Sequence, residues 1–115
     1  MTLRKPRAPD HLRPPTKTWW AAVLAAYQLE PHHVRLLQLA GESWDRCQEA
    51  REILGREDLT INDDRGNKRT HPAVQIEKDS RIAFARLVRE LDLDVEAPVS
   101  SRVGPPGLRS NSRRT

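Results

Sequence analysis

The aromatic residues of this chain are confined to its central part, and this limits where a packed core can form. Large aromatic side chains bury more apolar area than most others, so the core is expected within residues 19–84. The chain has 115 residues, of which 37% are hydrophobic, which suits one domain with ends that lie outside the core. The five aromatic residues are Trp19, Trp20, Tyr27, Trp44 and Phe84.

Apolar residues in the central part recur at helical spacing and predict a first and a third helix. The first is expected to start at an N-cap, Thr16, and to end before the Glu30-Pro31 break. The third is expected over residues 72–92, with Pro72 in its first turn and Thr70 or His71 as its cap. The predicted buried residues of the first helix are Trp19, Ala22, Val23 and Ala26. One face of the third helix carries Ile76, Ser80, Ala83, Phe84, Leu87 and Leu91.

The second predicted helix is the longest, over about residues 32–55, with Gly55 as its C-terminal cap. One face of this helix forms an apolar seam, mostly of small residues with heptad-like spacing: Leu36, Ala40, Ser43, Cys47, Ala50 and Leu54. Leu37 and Leu39 lie outside this seam, so more than one face of the helix is apolar, and more than one packing partner is expected.

The expected fold is therefore all-α, with three main helices arranged as a helical hairpin plus a C-terminal helix. A short β-hairpin or loop is predicted before the last helix, where residues 59–61 and 68–70 flank a turn rich in Asn, Asp and Gly. The predicted division is a basic proline-rich arm over 1–15, a helical oligomerisation domain over 16–94 and a disordered basic tail over 95–115.

Charge is distributed unevenly along the chain. Residues 1–17 and residues 97–115 each carry a net charge of +4, whereas residues 18–96 carry −4. Two basic ends on an acidic body favour contact with a polyanion or an acidic protein surface, although arginines that only keep the ends soluble would give the same pattern.

Enzyme signatures are missing from the sequence. There is no glycine-rich phosphate loop, and Ser43 and Cys47 lie on the apolar seam, where structural roles are expected. The adjacent His32 and His33 point about 100° apart on a helix, so we expect surface or capping histidines and no metal site or cofactor. With one cysteine, no membrane-spanning apolar run and no signal peptide, a cytoplasmic protein is expected.

The order of several segments resembles the small subunit of bacteriophage terminase. A basic, proline-rich start leads into "TKTWWAAVLAAYQLEP", a long second helix with an internal aromatic follows, and a Gly-containing connector ends in "HPAVQIEKDSRIAFARLVRELDLD". The segment "GPPGLRSN" is similar to the tail of one branch of that family. The resemblance implies a non-catalytic, ring-forming protein of the infected bacterial host's cytoplasm. Such a protein binds double-stranded phage DNA and regulates the large terminase subunit.

Three groups of residues are candidates for these contacts. Phosphate contacts to duplex DNA are expected over base stacking, because the chain has few aromatics. The DNA candidates are Arg4, Lys5, Arg7, Arg13, Lys17 and Arg35. The candidates for contacts between subunits are Leu36, Leu37 and Trp44. The candidates for the large-subunit contact are Leu108, Arg109, Arg113 and Arg114, with DNA as the other possible partner of this tail.

Two other classes of protein fit the same sequence. One is a small helical transcriptional regulator that binds DNA as a dimer, and the other is a structural oligomer that ignores DNA. The Glu30-Pro31 break and the length of the second helix argue against a standard helix-turn-helix.

Overall fold

The computed structural model describes residues 5–93, which form three α-helices and a two-stranded antiparallel sheet. The elements in chain order are α1 (Pro14–Ala26), α2 (Pro31–Arg56), β1 (Thr60–Asn62), β2 (Lys68–Thr70) and α3 (Pro72–Leu91). The predicted three helices with a short hairpin before the last one are confirmed. None of the helices in the described range is long and apolar enough to cross a bilayer.

Each helix begins with a proline in its first turn, where the missing N–H has no helical partner to lose. The predictions for Pro31 and Pro72 are therefore confirmed. His71 is the N-cap of α3, and its Nδ1 accepts a hydrogen bond from the Ala73 amide at 3.0 Å. His33 has a similar place at the start of α2, where its Nδ1 accepts from the Glu30 amide at 3.4 Å.

Two predicted helix ends are wrong. Helix α1 starts at Pro14 with Arg13 as its N-cap, because Thr16 is buried inside the first turn and its hydroxyl donates to Asp45 of α2. Helix α2 continues through Gly55 to Arg56 and is capped by Glu57 in extended conformation, so no left-handed glycine is needed there.

Helices α2 and α3 form the main helical hairpin. The two helices run antiparallel, because Trp44 packs on Phe84 whereas Arg51, further along α2, pairs with Glu77, which comes earlier on α3. The small residues of the predicted seam (Ala40, Cys47 and Ala50) are buried, which lets the helices approach closely. Helix α1 has a shorter contact with α2.

The core lies where α1 crosses the start of α2 and the end of α3. The side chain of Ala22 is exposed, contrary to the prediction, because the buried face of α1 is centred on Trp20 and Val23. Leu12 also belongs to this core, so the predicted extended arm is partly packed. The buried members are Leu12, Trp20, Val23, Leu24, Tyr27, Leu37 and Leu91.

The hairpin between α2 and α3 is exposed on both faces. Its turn is ordered by Asp63, whose Oδ1 accepts hydrogen bonds from the amides of Arg65 at 2.9 Å and Asn67 at 2.8 Å. Gly66 has φ +81°, a conformation that L side chains rarely adopt.

Candidate nucleic-acid interface

Residues 5–13, here called the N-terminal strap, lie against both α1 and α2. Leu12 is 3% exposed and packs against the backbone of α2 at Gly41. A Cβ on Gly41 would lie 3.3 Å from Leu12 Cδ1 and 3.1 Å from Thr16 Cγ2. A glycine at this position therefore allows the strap and the first turn of α1 to approach the second helix closely.

Three carboxylates of α2, here called the α2 carboxylate row, bind the strap and the start of α1. Asp45 accepts a hydrogen bond from the Arg13 amide at 2.9 Å and another from the Thr16 hydroxyl. The Arg13 guanidinium donates two parallel hydrogen bonds to Glu52, at 2.9 and 3.0 Å. His11 Nε2 lies 2.7 Å from Glu42 Oε2. The row consists of Glu42, Asp45 and Glu52.

These contacts change the acidity of the row. The hydrogen bonds from Arg13 hold the pKa of Glu52 below its ordinary value and raise that of the guanidinium. The pKa of Glu42 is also lowered, first by the hydrogen bond from Gln38 Nε2 and then by His11. Both glutamates are therefore ionised at neutral pH, which is the form that binds a cationic strap.

The other end of the strap is fixed to α1. The indole Nε1 of Trp20 donates a hydrogen bond to the Pro6 carbonyl at 3.0 Å, and Ala8 packs on the core. Because Trp20 is itself buried, this bond fixes the path of the strap backbone beside α1.

Lys5, Arg7 and Lys17 line one groove between the strap and α1, with a volume of about 300 Å³. The side chains of these three residues form no ion pair within residues 5–93. Asp10 is the acidic residue on the groove wall, and Trp20 and Leu24 contribute apolar surface. Three cations around one concave surface suit an anionic group such as a backbone phosphate.

The structure separates the six predicted DNA-binding residues. Lys5, Arg7 and Lys17 come together, whereas Arg35 is exposed on α2 and does not line the groove. Arg13 does not line this groove, and both of its terminal nitrogens donate hydrogen bonds to Glu52. Arg4 lies outside the described residues.

A second surface feature is an aromatic groove of about 380 Å³ between the three helices. Phe84 lines this groove between two tryptophans, with ring centroids 5.0 Å from Trp44 and 5.7 Å from Trp19. Trp44 is 39% exposed, so a large aromatic ring faces outward at this groove. Partly exposed aromatic clusters of this kind are typical of surfaces that bind protein.

The predicted subunit contacts differ in exposure. Leu37 is 0% exposed and belongs to the core of its own chain, so its side chain is not available to a neighbouring subunit. Leu36 is half-buried against the same core. Three more exposed apolar residues were not predicted as contacts, although Leu39 had a visible signal because it falls off the apolar seam. These are Leu39, Ile76 and Ile82.

Comparison with known protein families identifies the family of this chain. The family described as phage terminase, small subunit, matches residues 17–105 of this chain. The chain belongs to the phage terminase small-subunit family. No curated protein and no solved structure gives a significant match. The match includes both helices of the main hairpin and most of α1, and the whole strap lies outside it.

Another polar cluster of this terminase subunit joins α2 and α3. Glu77 of α3 accepts hydrogen bonds from Arg51 at 3.1 Å and Arg81 at 3.3 Å, and these lower its pKa, with Arg51 contributing most. The Cys47 Sγ lies 3.6 Å from Glu77, and burial raises the pKa of this thiol. A buried thiol with a raised pKa is a poor nucleophile.

Two further kinds of site were considered in the sequence, a metal site and the contacts of the C-terminal tail. Among the residues that the structure describes, no three His, Cys, Asp or Glu side chains are arranged to hold a metal ion. Four predicted contacts to the large subunit lie outside the described residues: Leu108, Arg109, Arg113 and Arg114.

Proposed function

We propose that this chain is the non-catalytic subunit that recognises phage DNA during genome packaging and that loads and stimulates the large terminase subunit in the host cytoplasm. Family membership supports the packaging role, and the family is generally non-catalytic. The observation that supports DNA contact is the groove in which Lys5, Arg7 and Lys17 stand together without ion-pair partners within residues 5–93. We expect them to contact phosphates of a duplex.

The DNA contact is tested by changing all three groove cations to alanine. Removal of one phosphate contact lowers the slope of log affinity against log salt by about 0.9, so the slope of the triple variant should fall by roughly 3. Fluorescence anisotropy with a labelled duplex at several salt concentrations gives both affinity and slope. A matched control changes three exposed cations of α3 that lack ion pairs within the described range, Lys78, Arg86 and Arg89.

The outcomes separate a local site from a general charge effect. The groove variant should lose affinity and slope, while the control variant, with the same change in net charge, should retain most of both. Equal losses would mean that overall charge attracts DNA and that the groove is no site. A dimer on a palindromic sequence would favour the transcriptional regulator, although α1 and the long α2 do not form the short recognition helix that this alternative needs.

We also propose that the chain forms a ring through the aromatic groove and the exposed apolar residues of α2 and α3. The candidate contacts are Leu36 and Trp44, with the exposed Leu39 and Ile82 beside them. If two different surfaces of the chain meet head to tail, the contact closes into a ring when the rotation permits. Native mass spectrometry should show one oligomer larger than a dimer. A monomer at tens of micromolar would contradict the proposal.

The tail is proposed to bind the large subunit. Leu108 is an apolar anchor beside Arg109, and an apolar anchor suits a protein pocket, whereas phosphates need only the charges. A chain truncated after Ala97 should keep its oligomeric state, lose little DNA affinity and no longer stimulate the large subunit's ATPase. Full stimulation by the truncated chain would remove the tail from the mechanism.

A further inference from the structure

The carboxylates that hold the strap are placed where a DNA-binding protein would be expected to avoid negative charge. Glu42, Asp45 and Glu52 follow one another at steps of three and seven residues, which keeps them on one side of α2. Acids on a domain that binds phosphates weaken the attraction to DNA, so a row of three is expected to serve another purpose.

Each member of the α2 carboxylate row is engaged with residues just before or within the start of α1. Asp45 binds the Arg13 amide and the Thr16 hydroxyl, Glu52 binds the Arg13 guanidinium, and Glu42 lies against His11. These contacts join residues 29 to 39 positions apart in the chain, so they fix the strap across the tertiary structure.

The position of the strap decides whether the groove exists. Lys17 belongs to α1, but Lys5 and Arg7 reach the same groove only because the strap turns back along that helix. Leu12 in the notch at Gly41 and Arg13 on the carboxylate row fix the point at which the strap enters α1. Without this anchor, the two strap cations would belong to a loose chain end.

We propose that the α2 carboxylate row positions the N-terminal strap for DNA binding, with Arg13 as a positioning residue that contacts no phosphate. This inference rests on the proposed DNA contact at the groove. It predicts the opposite of the usual change in DNA affinity when a negative charge is removed. Removing a negative charge near a DNA site ordinarily tightens binding, whereas removing Asp45 loosens it because the cations lose their shared geometry.

The test compares Asp45→Ala with Asp58→Ala, a control that removes the same charge from an exposed residue with no ion pair within residues 5–93. Duplex affinity is measured by anisotropy at fixed salt, and cleavage by trypsin after Arg7 is followed in the absence of DNA. Asp45→Ala should bind roughly tenfold more weakly and be cleaved faster, whereas Asp58→Ala should bind as tightly as the unchanged protein or more tightly.

A second variant covers the case in which Asp45→Ala fails to fold. Glu52→Gln changes an exposed side chain, removes a negative charge and releases the Arg13 guanidinium, so simple electrostatics predicts tighter binding for two reasons. The positioning role predicts weaker binding and faster cleavage after Arg7.

The outcomes separate this inference from the proposed function. If the unchanged protein binds DNA through the groove and both row variants bind equally well or more tightly, the positioning role is wrong and the proposed function stands. If the unchanged protein does not bind duplex DNA, both fail. Faster cleavage without any loss of affinity would likewise overturn the positioning role, since the strap would be released with no effect on binding.

Discussion

The burial of Leu12 gives the clearest test that the strap is part of the folded domain. Its side chain is 3% exposed and lies among Trp20, Leu24 and other core residues. Replacing a buried leucine with alanine costs roughly 2–5 kcal/mol, and the low end applies here because a strap at the surface can partly collapse into the space. We expect Leu12→Ala to lower the free energy of unfolding by about 2.5 kcal/mol.

For a domain of this size, that loss corresponds to a Tm lower by roughly 10–20 °C. Thermal unfolding is followed by circular dichroism at one fixed protomer concentration, because assembly also shifts Tm. Leu59→Ala is the matched control, since Leu59 is 61% exposed. If Leu12→Ala unfolds at the same temperature as this control, residues 5–13 do not pack on the domain and the account of the groove is wrong.

Three further predictions concern single residues. The hydrogen bond from Arg51 lowers the pKa of Glu77 in the folded protein. The ionised Glu77 carboxylate therefore stabilises the fold fully above the unfolded pKa of about 4.3, and this stabilisation is lost as the pH falls through the folded pKa. On acidification from about pH 5 to pH 3, the Tm of the unchanged protein should fall by more than the Tm of Glu77→Gln. Cys47 is 1% exposed with a raised pKa, so iodoacetamide at pH 8 should react roughly a hundredfold more slowly with the native protein than with the denatured chain, and a similar rate would show that the seam is open. Trp44→Ala should shift the oligomer towards smaller species in native mass spectrometry while leaving helix content unchanged, and an unaltered oligomer would exclude the aromatic groove from the interface.

Local patterns in the sequence were sufficient for the helices and the hairpin. The apolar spacing of α3, the prolines at helix starts and the Asn-, Asp- and Gly-rich turn depend on residues within a few positions of each other. Helix ends were predicted less accurately, because tertiary contacts compete with the local sequence signals. Thr16 is a good N-cap residue, yet Asp45 of another helix binds its hydroxyl, and the N-cap lies three residues earlier, at Arg13.

The strap could not be predicted, because its contacts join distant parts of the chain. Four prolines and several cations within residues 1–15 indicate an extended basic arm, and nothing near Leu12 shows that Gly41 leaves room for it. Charge alone made Arg13 a candidate for DNA, whereas its partner Glu52 lies 39 positions away. The three groove cations could be named from charge, but their common groove depends on the hydrogen bond from Trp20 to Pro6.

We propose that this protein regulates the packaging motor and hydrolyses no ATP itself. The most direct measurement is the steady-state ATPase rate of the large terminase subunit with duplex DNA, as the concentration of this protein is increased. We expect the rate to rise and saturate, and this protein alone, with magnesium and ATP, to show no turnover. An ATPase rate that does not respond to this protein, or turnover by this protein that a point mutation abolishes, would contradict the account.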